Sequence, residues 1–168
     1  MTRFKLLLAA ILAAAVAVPS VADAQAVPGA IKVPDGNEQF LTAHAVGVQI
    51  YSCNGTVWTL TGPRADLFDK HGKLIATHFA GPTWQSKGGS TVVGKRESGA
   101  TVDSASIDWL LLSAASTTPG RFGRTTYIQR INTTGGRASA ADCNAGTAGT
   151  TVEVPYTADY VFWRAGRG

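Results

Sequence analysis

Past its first residues the chain has no apolar run long enough to span a membrane, which takes roughly 20 residues as a helix. No membrane span is therefore expected in the mature protein. Charge is scarce and unclustered: 15% of residues are charged, with 15 Lys and Arg against 11 Asp and Glu. A net charge of +4 without any basic run excludes a dedicated nucleic-acid surface, so no nucleic-acid partner is expected. The dinucleotide fingerprint Gly-x-Gly-x-x-Gly is missing, as is the strand and helix alternation that it needs, which argues against a nicotinamide enzyme. The nucleophile elbow Gly-x-Ser-x-Gly is missing too, since Gly88-Gly89-Ser90 lacks the downstream glycine. With 2 cysteines and 3 histidines, metal ligands are few. Neither Cys53 nor Cys143 has a cysteine or histidine close by in sequence, and the spacing of His71 and His78 does not set two ligands side by side. No metal and no cofactor are expected.

What is present begins with a secretory pattern. Arg3 and Lys5 precede an apolar run from Leu6 to Val18, and Ala22-Asp23-Ala24 offers the small residues that a signal peptidase reads. Residues 1–24 are the expected signal peptide and the product is expected to be exported, periplasmic or extracellular. In an oxidising compartment Cys53 and Cys143 are expected to pair as a disulfide. In the chain-entropy model, closing so long a loop contributes roughly 4 to 5 kcal/mol.

Residues 25–39, with their prolines and glycines, read as an extended N-terminal arm, and residues 40–168 as a single β-rich domain. Gly47 to Cys53 alternates Val48 and Ile50 against Gln49 and Tyr51, and Asn54-Gly55 predicts a hairpin into Val57 to Leu60. Gly62-Pro63 is expected to end that strand, with a separate short strand over Ala65 to Asp69. Leu74 to Ala80 places Leu74, Ala76, His78 and Ala80 on one face. Further strands are expected over Ser90 to Arg96, Thr125 to Asn132 and Tyr156 to Trp163, with Arg137 to Thr151 as a loop stapled by Cys143. Residues 104–116 are continuously apolar around Trp109-Leu110-Leu111-Leu112, a pattern open to helix or buried strand; strand is favoured because its surroundings are β. Many short strands with little helix predict an all-β fold, an antiparallel β-sandwich or barrel.

The densest chemistry lies in His78-Phe79-Ala80-Gly81-Pro82-Thr83-Trp84, a β corner in the first instance and a candidate site wall in the second. Tryptophan and tyrosine offer flat faces for planar or sugar-like ligands, with polar neighbours to orient them. The candidate ligand-binding residues are His78, Trp84, Trp109, Tyr127, Gln129 and Arg130. Against this stands the reading of the same aromatics as core. A further alternative is a secreted hydrolase with His78 as general base and a carboxylate such as Asp69 or Asp159.

Several of these segments together bring a family into view. Gly47-x-Gln49-Ile50-Tyr51-x-Cys53, Pro63-x-Ala65-x-Leu67, His78 to Trp84, Trp109 to Leu112, Tyr127 to Gly136 and Val154 to Tyr160 resemble the domain of unknown function 3455 family. The resemblance implies an exported bacterial or fungal protein of unassigned activity and carries no catalytic residues over. The malate dehydrogenase label attached to some members has no counterpart in these residues. The expected function is binding of a small molecule or polysaccharide in an aromatic and polar cleft. The alternatives are the hydrolase and a structural or interaction protein of the cell envelope.

Overall fold

The computed structural model describes residues 25–167, so the expected signal peptide lies outside the described residues. The alternating segments form β1 (Asn37–Cys53), β2 (Trp58–Phe68), β3 (Leu74–Phe79), β4 (Thr83–Ser86), β5 (Thr91–Ala100), β6 (Trp109–Thr117), β7 (Thr125–Gly135) and β8 (Thr151–Ala165). Each strand pairs antiparallel with the next in sequence, and β8 returns to β1, closing an eight-stranded barrel. Closure removes the sheet edges, which explains how a chain with so little charge manages without edge-blocking residues. Of the two all-β architectures the sequence allows, this is the barrel.

Which side chains point inward follows from size. On β1 and β2 the inward face carries small residues, Ala43, Ala45, Gly47 and Ala65, while β4, β6 and β7 supply Trp84, Leu112 and Ile128, and β8, directly beside β1, supplies Tyr160 and Phe162. The small residues make room for these larger side chains in the interior. Gly94 on β5 shows the tolerance: a Cβ there would stand 3.0 Å from both Trp84 and Leu112. On β1 the side chain turned into the barrel is the polar Gln49, while Val46 is about half exposed on the outside. Phe122 and Phe162, their ring centroids 4.8 Å apart and the rings tilted by 32°, pack together in the core, Phe122 coming from the β6 to β7 connection.

The continuous apolar run on β6 is a strand because both of its faces are covered. Leu112 faces the interior core, whereas Trp109 and Leu111 face outward beneath Ile31 and Val33 of the N-terminal arm. The arm is tied down by Gln129 Nε2 donating to the Ile31 carbonyl at 2.8 Å and by Ser98 Oγ donating to the Ala30 carbonyl at 2.6 Å. It is shorter than expected, because β1 already begins at Asn37.

Other boundaries differ from the sequence reading as well. Gly62-Pro63 does not end a strand; β2 runs through it, and a bulge absorbs the extra residue where Ile50 pairs with Gly62 and Tyr51 with Leu60. Pro63 is tolerated because β2 pairs with β3 only from Arg64 onward, so no ladder bond is lost on that side. The last strand is longer than residues 156–163 because it follows β1 along nearly its full length. The Asn54-Gly55 hairpin forms, with Asn54 Oδ1 accepting from the backbone N–H groups of Thr56 and Val57. Cys53 and Cys143 form the disulfide, tying the end of β1 to the long β7 to β8 connection across a separation of 90 residues.

Candidate functional site

The barrel wall is low at one place. β3 and β4 are the shortest strands, joined by a turn over Ala80 to Pro82 with Gly81 at φ 89°, while β2 and β5 on either side continue past them. The notch leads to a cavity of about 330 Å³ inside the barrel. Its lips are Leu60, Pro63, Gly81 and Pro82, its far wall Leu110, Leu112 and Arg130, and its inner surface Gln49, His78, Trp84 and Tyr160, with Arg96 at the rim. The two Gly-Pro dipeptides of the sequence thus come together beside one opening. Gly62 is required there, since a Cβ would come within 2.6 Å of the Ala80 side chain.

His78 and Trp84 are direct cross-strand partners on β3 and β4. Their rings stack at 4.2 Å with an interplanar angle of 6°, and Tyr160 meets both edge-on, at 5.1 Å from His78 and 5.3 Å from Trp84. His78 Nδ1 lies 2.9 Å from the Thr83 carbonyl oxygen, so this nitrogen carries the proton and donates it. Nε2 is then an acceptor with no hydrogen bond to any described residue. Burial holds the imidazole neutral and pushes its pKa down to about 3; the Arg130 charge acts in the same direction, against the opposing effect of the Thr83 bond.

The polar groups around this stack are unevenly satisfied. Gln49 Nε2 and Trp84 Nε1 are buried and have no hydrogen-bond partner. Buried donors are normally paired, and leaving one unpaired costs on the order of 1 to 3 kcal/mol. The Tyr156 and Tyr160 hydroxyls lie 3.3 Å apart, and burial raises both phenol pKa values, so both stay protonated. Arg130 points from β7 into the barrel and donates through Nε and Nη2 to the Asp108 carbonyl at 3.0 and 2.9 Å. The Asp108 carboxylate is taken by Arg137 at 2.6 Å, with Arg96 at 3.9 Å.

The six candidate residues fall on two sides of the wall. His78, Trp84 and Arg130 line the cavity. Trp109, Tyr127 and Gln129 belong to the outer cluster against the arm, where Trp163 Nε1 donates to Gln129 Oε1 at 3.0 Å. The split follows from strand alternation: Gln129 and Arg130 are neighbours in sequence and so point to opposite faces of β7. Gln49, Tyr160, Leu110 and Leu112 complete the cavity. The sign of Gln49 in the sequence was its place in the series Ala43, Ala45, Gly47, Gln49, a row of small residues ending in a polar one.

The carboxylates considered for a hydrolase stand elsewhere. Asp69 caps the β2 to β3 turn, accepting from the backbone N–H groups of His71 and Lys73, which hold its pKa below the usual range. Asp159 is outside the barrel, 2.9 Å from His44 Nδ1 and held by Asn132. No Asp or Glu is among the described residues that line the cavity. No cluster of three or more potential metal ligands occurs among the described residues, and none of their helices is long and apolar enough to cross a membrane.

No curated protein and no solved structure shows significant similarity to the chain. A family model does: it matches residues 34–164, from the end of the arm to the last residues of β8, and so takes in every strand that builds the cavity. The chain belongs to the family described as Protein of unknown function (DUF3455).

Proposed function

We propose that this protein is an exported binding protein that holds one small organic molecule in the notch of its barrel. The observation that carries the proposal is that two residues lining the same cavity, Gln49 and Trp84, each carry a buried donor, Nε2 and Nε1, with no partner in the protein. A bound acceptor would satisfy them where no protein group does. Eight strands enclose an interior wide enough either to be filled by side chains or to hold a single small ligand, and about 330 Å³ lies at the lower end of the range for ligand sites. That size favours a small molecule or a single sugar over a polysaccharide, which would need an open groove.

His78, Trp84 and Arg130 contact the ligand in this reading; Trp109, Tyr127 and Gln129 hold the arm. Binding is favoured over hydrolysis because the neutral His78 has a carbonyl, not a carboxylate, on its Nδ1. Export is supported by the signal-like residues 1–24 and by the disulfide, which an oxidising compartment maintains.

The test is a screen of small aromatic and monosaccharide fragments read by the NMR signal of the Trp84 indole N–H. Binders should move that signal and raise the melting temperature. Leu110→Trp, which fills the cavity from its far wall, should abolish both effects. A screen in which no fragment moves the Trp84 signal would overturn the reading.

A further inference from the structure

We infer that the ligand is a small organic carboxylate with a flat, largely apolar body, its negative charge placed against Arg130. This rests on the cavity-binding reading and names the chemical class that fits it. Arg130 is partly buried inside the barrel, and no ion pair to it occurs among the described residues. Its neighbours there are the neutral Asp108 carbonyl and two tyrosines that burial keeps protonated. A guanidinium carries five N–H donors; the Asp108 carbonyl takes two of them and the Tyr160 hydroxyl is a further neutral partner, which leaves donors over for a ligand. An inward cation without a counter-ion is costly, and an anion delivered by a ligand removes that cost.

The remaining polar chemistry points the same way. Gln49 Nε2 and Trp84 Nε1 are further donors without acceptors, and Arg96 adds a second positive charge at the rim. No described lining residue supplies a carboxylate that would repel an anion. Planar carboxylates match a guanidinium geometrically, through two parallel N–H···O bonds. The apolar part of the ligand has the Trp84 ring, Leu110, Leu112 and Pro82 to lie against, which a bare inorganic anion would leave unfilled. His78 Nε2, the imidazole nitrogen left without a proton, can accept a bond from a hydroxyl on the ligand body.

The experiment is calorimetric titration of the purified protein with 4-hydroxycinnamate, its uncharged primary amide and inorganic phosphate, alongside the Trp84 indole signal. The acid should bind at least about tenfold tighter than the amide, the usual scale for a charge-assisted hydrogen bond, and move the Trp84 signal. Phosphate should neither move it nor compete. In Arg130→Gln the acid and the amide should bind within about threefold of each other. Should that variant fail to fold, the wild-type comparison of acid with amide stands by itself, and Arg96→Gln at the rim should narrow the preference without removing it. Equal binding of acid and amide by the wild type, with the Trp84 signal moving for both, would overturn the anion assignment and leave a neutral-ligand cavity. Phosphate competing at equal affinity would overturn the flat organic body. No movement of the Trp84 signal by any of the three overturns the carboxylate class, whereas the cavity itself is in question only if the broader fragment screen is silent as well.

Discussion

At His78 a titratable group has been placed where it does not titrate near neutrality. Its ring lies against Trp84 and its one N–H is spent on the Thr83 carbonyl, so burial opposes a second proton. With a folded-state pKa near 3 against an ordinary 6.5, the unfolded chain binds one more proton than the native state between those values. The resulting stabilisation is complete above about pH 6.5 and is lost progressively as the pH falls towards 3. Its ceiling is roughly 4 to 5 kcal/mol, at about 1.4 kcal/mol per pH unit. Denaturant midpoints of the wild type should therefore fall between pH 7.5 and 4.5, and His78→Gln should flatten that limb. An unchanged slope in the variant would assign the acid sensitivity to other groups. In the binding function proposed above, His78 therefore serves as a fixed neutral acceptor.

The elements that shape the site are the short hairpin of β3 and β4 and the bulged β2 beside it. A hairpin this short lowers the wall, and the bulge at Gly62 lets β2 pass close over Ala80. Because the Cβ that Gly62 lacks would stand 2.6 Å from the Ala80 side chain, Gly62→Ala should destabilise the protein by about 1 to 3 kcal/mol through overpacking. Gly29→Ala, with nothing within 4 Å, is the control and should be near neutral. Thermal melts of the two variants decide it; equal melting temperatures would mean that the lip yields freely. On the opposite side of the barrel, the arm converts β6 from a half-exposed strand into one buried on both faces, which is why Trp109 and Leu111 need no ligand to cover them.

Across the whole molecule, the disulfide joins the first strand to the connection before the last, so it closes a loop with a separation of 90 residues in the unfolded chain. Replacing both Cys53 and Cys143 by Ser should lower stability by about 2 to 5 kcal/mol, and the wild type in excess dithiothreitol should approach the variant in guanidinium unfolding. A loss below about 1 kcal/mol would show that closure of the barrel by β1 and β8 already supplies the constraint. Much of this architecture was legible beforehand. Period-two alternation, the Asn54-Gly55 turn and the pairing of two lone cysteines are local or near-arithmetical signals, and they specified an all-β chain with its main strands and its disulfide. The same alternation placed His78 on one strand face with Leu74, Ala76 and Ala80. Three things did not follow. Whether strands close into a barrel depends on β1 meeting β8, a contact between distant segments that no local pattern encodes. Which face of each strand is interior was ambiguous because the arm buries an outer face as well, so Trp109, Tyr127 and Gln129 carried the same aromatic and polar signature as His78, Trp84 and Arg130. And only closure, by bringing distant strands round one interior, set Gln49 of β1, Trp84 of β4 and Arg130 of β7 around a single cavity, a grouping that no spacing along the chain encodes.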